Sequence, residues 1–273
     1  MFTLVEMVDV DGCCLAVDTQ GEGSPPVVLV HGSGEPAWGQ LLDVFDPSIH
    51  TVTYHRPGLG GSRPLPAHQQ DVPRTYTWAA DQLRRLLGAL DLQDRQVLVG
   101  HSLGGTIIEA YARRWPEEVA GLVFLDATDA GLRCEFDGQP RVARDGDQPG
   151  AIAFDRLAGL NAMEVSGPLP AVPAIVVTAA VGRWLRVDEP AQFRPFSLAD
   201  LDDRWQDRQR TLARRCGGQQ ILARTAGHRL EMEAPQLVAA AIEAVVAAVR
   251  SGQLPFLDPA QIGFLDADII DLQ

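Results

Sequence analysis

The run Gly100-His101-Ser102-Leu103-Gly104 sets a hydroxyl nucleophile between two small residues, directly after the apolar Val97-Leu98-Val99 and directly before a helical pattern. Strand, sharp turn and helix in that order are the context a nucleophile elbow demands. A serine at such a turn takes a strained backbone, so its neighbours two positions away must be small, and Gly100 and Gly104 meet that requirement. Gly105 adds close helix-to-strand packing. The turn lifts the Ser102 hydroxyl above the strands at a helix N-terminus, where free N–H groups and the helix dipole favour developing negative charge. The backbone N–H of Leu103 is then one candidate oxyanion donor. The chemistry these residues suit is attack of Ser102 on a carbonyl carbon, with charge collecting on the oxygen. The same glycines would also serve a plain strand-to-helix turn.

The elements that must carry this turn are legible around it. Residues 3–8 and 13–18 alternate about Asp11-Gly12, as a β-hairpin does. Val27-Val28-Leu29-Val30, after Pro25-Pro26, is a short apolar run rich in β-branched residues, the mark of a central parallel strand covered on both faces. Similar runs occur at 51–54, 96–99 and 119–125, and further strands are expected at 174–178 and 220–223. Apolar residues recur at three and four positions in 77–90, 103–115 and 235–250, which predicts helices. Strand and helix in alternation specify a parallel, doubly wound sheet. Residues 127–170 break the rhythm: Gly, Pro, Asp and Arg dominate, with short helical patches such as 151–160, and the segment reads as an inserted lid. In the tail, 251–273, apolar residues are interleaved with acids; packing on its own domain or a loose end is one reading, and a dimer contact is the alternative.

Composition bounds the rest. The 273 residues are 46% hydrophobic and 22% charged, enough to bury a substantial core without metals or disulfides. A net charge of −13 and a sequence pI near 4.8 disfavour nucleic acid and anionic membranes as partners. Cys13, Cys14, Cys134 and Cys216 form neither a paired framework nor a metal clip, which suits reduced thiols. The opening residues through Asp9 lack a basic leader and an uninterrupted apolar stretch, so a cytoplasmic location with no membrane span is the expectation.

With further motifs added, the chain resembles the α/β-hydrolase superfamily, from about residue 3 to about residue 250. Val30-His31-Gly32-Ser33-Gly34 resembles the family's His-Gly oxyanion turn, which makes Ser33 the first choice for the second N–H donor, with Gly32 and Gly34 as the alternatives, and places those two glycines beside the substrate. Tyr54-His55-Arg56-Pro57-Gly58-Leu59-Gly60-Gly61-Ser62 resembles the structural turn after the family's fourth strand, with His55 where aspartate is more usual. Ala226-Gly227-His228, before Glu233-Ala234-Pro235, matches the loop of the family's catalytic histidine, so His228 is the candidate base; His31, His55 and His101 are expected to be scaffold. In many relatives the acid follows the seventh strand, yet 174–184 holds no carboxylate. Another subset carries it at the end of the sixth strand, where Asp126 follows Val123-Phe124-Leu125. Asp126 is therefore the expected acid, with Asp188 and then Asp129 as alternatives. Trp205 to Leu212 resembles a helix before the last strand of bacterial members and is expected to pack. Trp184, Trp38 and Met163 are candidate pocket walls, Trp184 foremost.

What the resemblance implies is an α/β-hydrolase fold: a mostly parallel eight-stranded sheet flanked by helices, with core 1–126 and 171–250, lid 127–170 and tail 251–273. It further implies a cofactor-free serine hydrolase, without metal, acting on a small-molecule ester or lactone. The same fold also serves C–C bond hydrolysis, lyase and cofactor-free synthase chemistry, and small-molecule receptors, and fold alone does not choose among them.

Overall fold

A computed structural model of the chain describes residues 5–92, 94–128, 141–186 and 196–272; Asp129, Cys134 and Asp188 lie outside the described residues. The predicted hairpin forms from β1 (Glu6–Val10) and β2 (Cys13–Gln20), paired antiparallel. Then follow β3 (Val27–Val30), β4 (Thr51–Tyr54), β5 (Gln96–His101) and β6 (Val119–Leu125). The small strands β7 (Val142–Arg144) and β8 (Ala153–Asp155) pair with each other, apart from the main sheet. The series closes with β9 (Ala174–Thr178), β10 (Gln219–Ala223) and β11 (Ala267–Ile270).

The main sheet runs β1-β2-β4-β3-β5-β6-β9-β10-β11, parallel from β4 through β10. Among the described residues it has nine strands, one more than the eight expected. The additional strand comes from residues 267–270: Ala267–Ile270 lies antiparallel on Gln220–Ala223 and forms an edge strand of the sheet. Strand β6 pairs directly with β9, so the whole of 126–173 leaves and re-enters at one place.

All four side chains of β3 are fully buried, as a strand with helices on both faces requires; each is worth about 1.5–3 kcal/mol relative to exposure. One core face is filled by Leu83, Leu86, Ile107 and Phe124, the other by Val245, Ile242, Val123 and Ile175. The helix Tyr76–Ala89 starts on a Thr75 cap, and Leu198–Arg215 starts on a capping box between Ser197 and Asp200. The helical patch expected at 151–160 divides instead: 153–155 is strand, and the helix Arg156–Glu164 begins where Asp155 caps it by accepting from the N–H of Ala158. Phe154 then stacks on Tyr76, ring centroids 5.4 Å apart, and fixes this hairpin over the helix Tyr76–Ala89. Among the described residues no helix is long and apolar enough to cross a membrane.

Candidate active site

Ser102 sits between β5 and the helix Leu103–Arg114 with φ +50° and ψ −120°, a backbone region that costs of order 1–3 kcal/mol for a residue with a Cβ. Its surroundings leave no relaxed option. A side chain at Gly104 would collide with the backbone of Val30, and one at Gly100 with the backbone of Gly104. Held this way, the hydroxyl faces the imidazole of His228, Oγ to Nε2 3.0 Å. The other ring nitrogen, Nδ1, lies 2.7 Å from Oδ2 of Asp126. An ionised carboxylate only accepts, so Nδ1 carries the proton and Nε2 keeps a lone pair for the serine hydroxyl.

Asp126 follows β6 with φ +38° and is fully buried. Its oxygens are saturated: Oδ1 accepts from Trp205 Nε1 at 2.7 Å and from the N–H of Ala179 at 3.1 Å, while Oδ2 faces both His228 and Arg183. Arg183 Nε is 2.9 Å from Oδ2, at an angle that makes the pair electrostatic rather than a hydrogen bond. Burial by itself would push this carboxyl up. The guanidinium of Arg183, then the bonds from His228 and Trp205, outweigh burial and hold it below the usual carboxylate range. Arg183 in turn lies between the rings of Trp184 and Trp205, 4.3 Å from each centroid.

The long helix before β10 organises this buried corner through one polar face. Asp202 accepts from the N–H groups of Gly182 and Trp184, Trp205 donates to Asp126, Gln206 to the carbonyl of Ala179 and Gln209 to that of Ala127. These four residues recur at the helical period. The expectation that this helix only packs is thus too narrow, because its side chains grip both loops that bear on the acid. A stripe of amide, acid and indole at i, i+3, i+4 and i+7 was the available signal.

The three histidines expected to be scaffold each hold backbone. His101 Nε2 donates to the carbonyl of His228 at 2.8 Å, and burial foremost drives its pKa down to about 3, so it is a neutral ring steadying the loop of His228. His31 Nδ1 bonds the carbonyl of Gly32 at 2.8 Å, and His55 Nδ1 accepts from the N–H of Gly61 at 3.0 Å.

Two cavities meet at Ser102. The first, about 220 Å³, is mainly apolar and runs past Leu103 to Tyr76, Phe154 and Leu160. The second, about 350 Å³, is mixed, with the charged or polar side chains of Glu35, His101, His228, Arg229 and Glu231 set beside Trp38, Pro36 and Ala37. Ser33 borders both cavities and Gly32 the second. The N–H groups of Ser33 and Leu103 have no acceptor within the chain among the described residues. Gly32 packs against Ser102, whose Cβ lies 3.1 Å from where a side chain on Gly32 would begin. Gly34 and Trp184 are not brought to these cavities. The N–H of Gly34 faces Asp145 Oδ1 at 3.4 Å, and Trp184 packs edge-on against Trp205, 5.6 Å between centroids. Met163 is fully buried in the core. No group of three or more His, Cys, Asp or Glu among the described residues is arranged to hold a metal ion.

Comparison with known proteins agrees with this architecture. The model of the alpha/beta hydrolase family matches residues 27–262. A haloalkane dehalogenase of Sphingobium indicum is 29% identical over 141 residues, covering 50% of this chain and 46% of that protein. Methylesterase 1 of Arabidopsis thaliana is 32% identical over 105 residues, 37% of this chain and 38% of that protein. The chain thus spans less than half the length of these curated relatives. A thermophilic esterase from Thermogutta terrifontis shares the fold, with a TM-score of 0.56 and 21% identity over 90% of this chain and 97% of that chain.

Proposed function

This chain belongs to the alpha/beta hydrolase family, and we propose that it is a serine hydrolase cleaving a small carboxylic ester or lactone through an acyl-enzyme on Ser102. The observation that carries the reading is the line Ser102 Oγ–His228 Nε2–Asp126 Oδ2, with links of 3.0 and 2.7 Å, at the junction of the two cavities.

In this mechanism His228 takes the hydroxyl proton as Ser102 attacks the carbonyl carbon, and the N–H groups of Ser33 and Leu103 receive the charge on the carbonyl oxygen. Asp126 fixes the imidazole tautomer and stabilises the imidazolium. His228 then returns the proton to the leaving alcohol, and a water, activated by the same ring, releases the acid. The mainly apolar cavity suits the acyl group, and the cavity lined by Glu35, Arg229 and Glu231 suits the alcohol.

The test is turnover. Purified protein is assayed against aryl and alkyl esters, lactones and thioesters, with Ser102→Ala as control. Hydrolysis of an ester or lactone by the parent and none by the variant is the expected result; equal turnover by both ends the assignment.

A further inference from the structure

Arg56 lies in the turn after β4 and Asp145 in the insertion, 89 residues later, yet they form an ion pair with side chains 1% and 0% exposed. The guanidinium is nearly saturated. Nε and Nη2 donate to the two oxygens of Asp145 at 2.5 and 2.8 Å, Nη1 to the carbonyl of His31 at 2.8 Å, and Nη2 also to the carbonyl of Gly32 at 2.5 Å. A buried ion pair is poor value as a stabiliser, since apolar residues of the same volume often do as well. Its geometry points elsewhere, because both carbonyls it holds belong to the turn that carries Ser33.

In a planar trans peptide the C=O and the following N–H point in opposite directions. The carbonyl of Gly32, held by Arg56 and by the His31 ring, therefore turns the N–H of Ser33 away from Arg56, and Ser33 itself borders both cavities together with Ser102. The insertion is seated on the same two turns at backbone distance. A side chain at Gly58 would collide with the carbonyl of Gly150, and one at Gly146 would come within 2.9 Å of the Cα of Gly34.

We propose that Asp145 and Arg56 are a positioning pair through which the inserted segment sets the oxyanion donor of Ser33, so that the site is fully assembled only while residues 145–150 are seated. The proposal rests on the reading of Ser33 as an oxyanion donor. It makes the insertion part of the catalytic geometry as well as a wall over the substrate.

The test uses Asp145→Asn and Arg56→Lys in the full chain. The control is Arg84→Gln, which removes an exposed ion pair with Glu118. Three quantities are read: kcat and KM with the fastest ester, the affinity for an aryl trifluoromethyl ketone, and the affinity for the matching carbinol. The ketone adds to Ser102 and carries an oxyanion; the carbinol does neither. The expected result is a fall in kcat on the order of 10- to 100-fold with KM within about threefold, a parallel loss of ketone affinity, and unchanged carbinol affinity. The control leaves all three unchanged. Should no ester turn over, the rate at which a fluorophosphonate modifies Ser102 stands in for kcat. A folded Asp145→Asn or Arg56→Lys protein with parental kcat overturns the proposal, as does equal loss of ketone and carbinol affinity, or failure of both variants to fold. Turnover or labelling that survives Ser102→Ala is a separate failure: it removes the reading of the site itself.

Discussion

The two sides of the His228 ring are built by different means. On the Nε2 side, Ser102 is presented by a local backbone device, a strained turn whose neighbours are small, and the surroundings are open to two cavities. On the Nδ1 side, Asp126 is fully buried and gripped by Trp205, Ala179 and Arg183, all distant in sequence. The ring itself is 35% exposed, the acid not at all. For the proposed mechanism the difference teaches that a reacting group needs access and geometry, which a few adjacent residues supply, whereas an orienting group needs exclusion of water, which only long-range packing supplies.

This contrast can be pressed from both sides. The largest effect belongs to the open side: Ser102→Ala lowers kcat by about 10⁶-fold without shifting Tm, because the hydroxyl supports no packing; steady-state kinetics and a thermal melt check both. On the closed side, Asp126→Asn removes the acceptor that selects the imidazole tautomer, and kcat falls by about 10⁴-fold near neutral pH. Unlike Ser102→Ala, it also lowers Tm, since Arg183 is left buried beside a neutral group.

Trp205→Phe keeps the ring and deletes one bond to Oδ1, so kcat falls about tenfold with KM unchanged. Loss of KM instead would place Trp205 among the substrate contacts. The smallest effect in rate, and the most informative in form, is Arg183→Gln. Removing this cation takes away the largest of the effects that hold the Asp126 carboxyl below its usual range, so that carboxyl takes up its proton at higher pH. In the proposed mechanism Asp126 must be ionised to act, so the acid limb of the kcat/KM profile moves to higher pH, while the alkaline plateau changes by less than about threefold. A shift to lower pH would contradict the electrostatic role.

The same contrast explains what could be read from the chain itself. The elbow is legible because five adjacent residues, with a strand before and a helix after, specify it. His228 is legible from its loop between the last parallel strand and the final long helix. Asp126 emerged from the lack of a carboxylate after β9, where the structure instead brings Arg183 toward the acid. Partners such as Arg56 with Asp145, or Asp126 with Trp205, join residues 89 and 79 positions apart, and no local period carries that information. Trp184 was expected beside the substrate, but the ring of Trp205 is near enough to receive it. The ninth strand was hidden for another reason: in 264–270 acids alternate with apolar residues, which suits an edge strand and a loose tail equally.

The central claim is that Ser102 is a nucleophile activated by His228. Incubation with a fluorophosphonate followed by peptide mass spectrometry tests it most directly. One adduct is predicted, on the peptide containing Ser102, absent from Ser102→Ala and formed at least about 10³-fold more slowly in His228→Asn. An adduct on another residue, or labelling of Ser102 at the parental rate in His228→Asn, would contradict the account.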